Sequence, residues 1–132
     1  MKTIVLAYND TEGSNRALER AAELARFYGA KLVVTSIVPV LVGADRVPEP
    51  GPELEKAAAL LRDSGIEPEL VEAVGEIGEA IVEVAESRSA DLIVIGTREL
   101  SQVERMLGHS VSEAVQRMAH CDVLIVHPRR DD

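Results

Sequence analysis

The chain has 132 residues and a formal net charge of −9, from 23 acidic and 14 basic side chains; 46% of it is hydrophobic but only 2% aromatic. That length is expected to form a single domain, residues 1–132, with a core large enough to stand without disulfides. The negative field repels phosphate backbones and anionic lipid heads, and Tyr8, Phe27 and Tyr28 offer no platform for stacked bases, so nucleic acid and membrane are excluded as expected partners.

The first element in chain order is an apolar run, Ile4–Tyr8, too short for a signal peptide or a membrane span. Cys121, the single cysteine, allows no internal disulfide. Both features point to the cytoplasm. Ser14–Tyr28 then carries Ala17, Leu18, Ala21, Ala22, Leu24 and Ala25 at helical spacing, and Gly29 stands where a helix stop is expected. Lys31–Val38 reads as the second strand. Pro39–Pro52 holds four prolines and two glycines, a composition that predicts a mobile connection or a lid over the point where the strand order switches.

Leu54–Ser64 repeats the helical pattern with Leu54, Ala57, Ala58, Leu60 and Leu61, closed by Gly65. Glu69–Val74 is the third strand, Gly75-Glu76-Ile77-Gly78 a strand-to-helix turn, and Gly78–Ser87 the third helix, with Ala80, Ile81, Val84 and Ala85 on one face. Asp91–Ile95 is the fourth strand. After it comes a second long loop, Thr97–His109; Ser110–Ala119 is the last helix and Asp122–His127 the last strand. Arg129 to Asp132 reads as a solvated tail.

The near-continuous hydrophobicity of all five strands predicts burial on both faces. Strands alternating with helices imply an α/β fold of three layers, a doubly wound five-stranded parallel sheet. The expected order in space is 3-2-1-4-5. Ligands of such sheets bind at the carboxyl ends of the strands, where the order switches between strands 1 and 4. The segments to examine are those after Tyr8, Ile37 and Ile95.

The stretch from Gly96 through Thr97, Arg98, Glu99, Gly108, His109 and Ser110 to Glu113 resembles the phosphate-binding loop of universal stress proteins. In that family the loop reads Gly, two residues, Gly, nine residues, Gly, then Ser or Thr, directly after strand 4. Val5 to Ser14 is similar to the family's first strand and turn, Asp91 to Gly96 to its fourth strand, and Cys121 to Val126 to its last. The resemblance spans the chain and implies an adenine nucleotide alpha hydrolase-like fold and a role in stress survival. It also implies a homodimer in which the last strand, Asp122–His127, pairs across a twofold axis. The physics of the loop is legible on its own terms. Glycines let backbone N–H groups approach phosphate oxygens, and the next helix offers its positive N-terminus. Ser110 and Glu113 also have the spacing of a capping box.

The resemblance implies a nucleotide site at Asn9, Ile37, Gly96, Arg98, Gly108, Ser110 and Val111. Its departures weigh against ATP. Glu99 stands at the second motif glycine and His109 at the third, with Gly108 one position early. A carboxylate about 5 Å from a phosphate costs roughly 3 kcal/mol at an effective dielectric near 20. Asn9 replaces the aspartate of ATP-binding members, yet its amide still donates and accepts. Asp10 replaces a glycine usual in that turn. The adenosine half is thus better kept than the triphosphate half, and replacing Glu99 and His109 by glycine is expected to improve ATP affinity. Two readings stay open: an adenine-nucleotide module for AMP or ATP, and a dimeric interaction protein with a degraded ATP site that acts through other protein partners.

Other chemistries find no support in the sequence. There is no Walker-type G-x-x-x-x-G-K-[ST] stretch, no G-x-G-x-x-G after a strand and no G-x-S-x-G elbow. Asn9-Asp10 does not fit a phosphoacceptor receiver, because Val74-Gly75-Glu76 and Pro128-Arg129 lack its acceptor and lysine. His109, His120 and His127 lack metal-ligand spacing, and Cys121 reads as a small buried hydrophobe. The expectation is a protein that is not an enzyme.

Overall fold

The computed structural model describes residues 1–38, 51–97 and 111–128. Five strands appear in them: β1 (Thr3–Ala7), β2 (Lys31–Val38), β3 (Glu69–Val74), β4 (Leu92–Gly96) and β5 (Asp122–Val126). The described helices are α1 (Glu12–Tyr28), α2 (Pro52–Asp63), α3 (Ile77–Ser87) and α4 (Val111–Met118). All strand pairings are parallel, in the order β3-β2-β1-β4-β5. This is the topology expected from the sequence.

Alternation along β1 divides the core into two layers. Ile4, Leu6 and Tyr8 join Leu32 and Val34 under α1 and α2, whose contributions include Ala17, Ala21, Leu54 and Leu61. Val5, Val33, Ile93 and Ile95 point the other way, onto Ile81, Val84 and Val115 of α3 and α4. With almost no aromatics available, the layers close through small and branched aliphatics, and alanines let α1 lie close on the sheet.

The expected burial of every strand holds for the centre of the sheet and fails at its edges. β3 is only partly buried along its length, and Val123, Leu124 and Ile125 of β5 are half-covered. An edge strand has a neighbour on one side only. β3 also carries Glu69, which binds Lys31 and Arg88 at 2.6 and 2.7 Å, and Glu72, which accepts the Gly51 N–H at 2.9 Å.

Helix starts also differ from expectation. α1 begins at Glu12 because Thr11 and Ser14 cap it reciprocally: Ser14 N–H donates to Thr11 Oγ1 and Thr11 N–H to Ser14 Oγ. α2 begins at Pro52, inside the expected loop, since proline's missing N–H is harmless in a first turn. Glu76 caps α3 by accepting N–H groups of Gly78 and Glu79. Gly29 ends α1 in the left-handed conformation at φ 64°, the stop its position suggested. Residues 39–50 of the expected loop Pro39–Pro52, most of the second long loop and the tail 129–132 lie outside the described residues.

Candidate functional site

The carboxyl ends of β1, β2 and β4 open on a cavity of about 250 Å³. Its two walls differ in character. One is apolar, from Ala7, Ile37, Ile77, Ile81, Ile95 and Val111, residues that all belong to the α3/α4 layer. The other is polar, from Asn9, Thr11 and Ser14 of the β1–α1 turn, Ser36, Glu53 of α2, and Thr97. An apolar wall facing hydrogen-bonding groups suits a flat ring with a polar edge, and the cavity is slightly smaller than the range of about 300–1,000 Å³ usual for small-molecule sites.

The polar wall is held by local bonds. Asn9 Oδ1 accepts from Thr11 Oγ1 at 2.8 Å, leaving the amide NH2 with no partner among the described residues. Ser36 Oγ donates to Glu53 Oε2 at 2.9 Å, and Thr35 Oγ1 to the Val71 carbonyl at 2.9 Å. Asp10, just beyond Asn9, has φ 56°. That left-handed geometry explains why glycine is usual there, and aspartate is among the residues that tolerate it.

Asp10 also ties the site's outer rim together. Lys56 of α2 donates to its carboxylate, and the Tyr8 hydroxyl shares its one proton between Asn15 Oδ1, the nearer acceptor, and Asp10 at 3.3 Å. The Lys56 bond holds the Asp10 carboxyl below its ordinary value. Tyr8 is 3% exposed. Burial, and after it the nearby Asp10 and Glu53 carboxylates, push its phenol up to about 12.

Glycines set the inner rim. A Cβ on Gly96 would strike the carbonyl of Gly13, and one on Gly13 would strike the carbonyl of Thr97. Gly96 therefore lets α1 touch the end of β4, in addition to lining the cavity. Gly78 allows α3 to approach α4, where its Cβ would stand 3.0 Å from that of Ala114.

Of the residues singled out in the sequence, Asn9, Ile37, Gly96 and Val111 come together at this cavity. Arg98, Gly108 and Ser110, with Glu99 and His109, lie outside the described residues. Sequence reasoning missed Thr11, Ser14, Ser36, Glu53, Ile77 and Ile81. Ser36 beside Ile37, following Thr35 in the second half of a strand that is otherwise apolar after Lys31, was a usable signal; Glu53 had none. Among the described residues no cluster of His, Cys, Asp or Glu is gathered as a metal would need, and no helix is long and apolar enough to cross a membrane.

The family model of universal stress proteins matches residues 1–127. The chain belongs to the universal stress protein family. A universal stress protein of Methanocaldococcus jannaschii is 32% identical over 95% of this chain and 81% of its own length. A solved universal stress protein in complex with cAMP superposes with a TM-score of 0.79 at 32% identity, covering 97% of this chain and 98% of that one. The universal stress protein of Archaeoglobus fulgidus in complex with dAMP gives 0.75 at 27% identity, covering 96% and 98%. The five-stranded parallel sheet is thus the universal stress protein fold.

Proposed function

We propose that this universal stress protein is a regulatory module binding an adenine nucleotide of low phosphate charge, AMP or cyclic AMP, and that it holds ATP poorly. The observation that carries this reading is the cavity: an apolar wall fit for a base, a polar wall fit for its edge and sugar, and no lysine or arginine among its described lining residues. Triphosphate needs compensating cations or backbone amides. The sequence offers Arg98 nearby, but sets Glu99 and His109 where the family has glycine. The relatives bound to cAMP and dAMP support a ligand of this size.

In this reading the role is regulatory rather than catalytic: the hydroxyl–carboxylate pair in the lining, Ser36 and Glu53 at 2.9 Å, has no third group among the described residues that orients the carboxylate as a base. In this reading the protein acts in the cytoplasm as a homodimer through the last strand, Asp122–His127. Half-covered Val123, Leu124 and Ile125 on a sheet edge support that contact.

The test is thermal unfolding of purified protein with millimolar AMP, cyclic AMP and ATP. A ligand at 100 times its dissociation constant adds about 2.7 kcal/mol, several degrees for a domain of this size. AMP and cyclic AMP are expected to raise the melting temperature and ATP to raise it less. No shift with any of them would overturn the nucleotide reading and leave a dimeric interaction protein.

A further inference from the structure

Glu53 is the one charged residue among the described lining of the cavity, and it is an acid. It sits in the first turn of α2, where Ser36 Oγ fixes one carboxylate oxygen at 2.9 Å. The other oxygen has no partner among the described residues. Lys56, three residues further along the helix, is bonded to Asp10 instead.

Position decides what that free oxygen faces. Glu53 and Ser36 stand at the β2 end of the cavity, while Gly96, Thr97 and the start of α4 stand at the β4 end. β1 lies between the two strands, so the ends are two strand spacings apart, roughly 10 Å. A phosphate about 5 Å from the Glu53 carboxylate would lose on the order of a hundredfold in affinity at an effective dielectric near 20. The anionic end of a nucleotide is therefore driven toward β4 and α4. Its base falls at the β2 end, beside Ile37, with Glu53 on its edge. An ionised carboxylate only accepts hydrogen bonds. It rewards a base whose edge donates there and repels one that presents a carbonyl.

We propose that Glu53 is a specificity-determining residue that accepts a hydrogen bond from the exocyclic amino group of the bound base, so that the site takes an amino-purine and rejects the matching oxo-purine. The proposal rests on the nucleotide reading above and goes further, by naming the residue that reads the base.

The experiment is titration calorimetry of AMP, 2′-deoxy-AMP and inosine monophosphate against the wild-type protein, Glu53→Gln and Ser36→Ala. AMP and inosine monophosphate carry the same sugar and phosphate and differ along one base edge: AMP offers an amino donor and an N1 acceptor, inosine monophosphate a carbonyl and an N1–H donor. A Glu53-dependent preference for inosine monophosphate would therefore move the contact to N1 and overturn the assignment to the amino group. The wild type is expected to prefer AMP by about tenfold or more, the worth of one charge-assisted hydrogen bond. Glu53→Gln should cut that preference to about threefold or less, because an amide can turn either its donor or its acceptor to the base. Ser36→Ala, which frees the carboxylate, should give an intermediate ratio. Glu53 is exposed and Gln is isosteric, so a melt without ligand should match the wild type.

The outcomes separate the two claims. AMP binding with equal affinity for inosine monophosphate, or a preference that Glu53→Gln leaves intact, overturns the role of Glu53 while the nucleotide site stands. A Glu53-dependent preference for AMP over 2′-deoxy-AMP instead would move the contact to the sugar and overturn the assignment to the base. No binding by any of the three overturns both.

Discussion

The backbones of Gly13 and Gly96 meet with no room for a side chain between them: a Cβ on Gly96 would overlap the Gly13 carbonyl, and one on Gly13 the Thr97 carbonyl. This contact joins the first turn of α1 to the last residue of β4, at the switch point of the sheet and on the lip of the cavity. Gly96→Ala must push α1 away from the sheet. Overpacking of this kind costs about 1–3 kcal/mol, or roughly 4 °C in melting temperature for each kcal/mol at this size. Gly13→Ala should cost a similar amount. The double variant should lose less than the sum, because either change separates the same two segments. Gly51→Ala is the control, with no described residue beyond its two chain neighbours within 4 Å of the added Cβ and φ −76°. If Gly13→Ala and Gly96→Ala melt like Gly51→Ala, the contact is not as close as described.

That pairing also marks how far the sequence could be read. The doubly wound parallel sheet was legible because aliphatic runs such as Lys31–Val38 and Asp91–Ile95 alternate with alanine-striped helices, although that rhythm alone also fits the order 2-1-3-4-5. Gly96 was legible as a loop glycine, but its contact with Gly13 was not, since the two lie far apart in the chain and no local pattern links them. Glu53 escaped for the same reason: its bond to Ser36 spans 17 positions and joins a helix start to a strand end. The start of α1 was missed because its cap has Ser14 where a glutamate or glutamine is the familiar signal. β3 was read as buried because Leu70, Val71, Ala73 and Val74 outweigh Glu69 and Glu72 in hydrophobicity; its place at the sheet edge, where those acids reach cations and a backbone N–H, is a tertiary property.

Tyr8 predicts a loss of stability in alkali. Its hydroxyl shares its proton between Asn15 and Asp10 in a buried setting, so the folded state holds the proton to a pKa of about 12, against an ordinary 10.0. Between those values the folded chain binds more protons than the unfolded one. The stabilisation is complete below pH 10 and falls as pH rises toward 12. Urea midpoints should drop across that window in the wild type and drop less in Tyr8→Phe. At neutral pH the phenylalanine variant should be weaker by about 1 kcal/mol, for the hydrogen bond it lacks. Equal alkaline slopes in the two proteins would contradict the assignment.

The acid side rests on carboxylates held below their ordinary values. Asp91 accepts the N–H groups of Lys2 and Thr3 at 2.7 and 3.0 Å, anchoring the start of β1 beside that of β4, and those bonds lower its pKa. Glu69 is lowered by Lys31 first and Arg88 second, and Glu67 by Arg62. Each group binds protons more readily in the unfolded chain. Its contribution is complete above the ordinary carboxylate range and is lost as pH falls through the depressed folded value. Stability should hold from pH 7 to about 5 and decline below about 4. Asp91→Asn keeps an acceptor but loses the titration, so its urea midpoint should fall less steeply between pH 5 and 3. An acid slope as steep as the wild type's would show that Asp91 takes no part.

The edge strand β5 carries the last prediction, which concerns assembly. Its backbone is paired with β4 on one side, and among the described residues nothing covers the other. Val123 and Ile125 are half-exposed on the α3/α4 face and Leu124 on the α1/α2 face. A second copy related by a twofold axis would pair the two open edges and cover these side chains together. Sedimentation velocity of the wild type is then expected to give a dimer at micromolar concentration. Val123→Lys sets a charge on that surface, and like charges facing each other across the axis should shift the protein to monomer. The fold itself should survive, since Val123 lies at the rim of the core rather than within it. The melting temperature of the wild type should also rise with protein concentration, and that of Val123→Lys should not. A wild-type monomer, or a dimer that Val123→Lys leaves intact, would place the contact elsewhere on the molecule or remove it. The two proposals can be tested separately, because β5 contributes no described residue to the cavity. A monomeric Val123→Lys that still binds AMP would locate the adenine site wholly within one protomer.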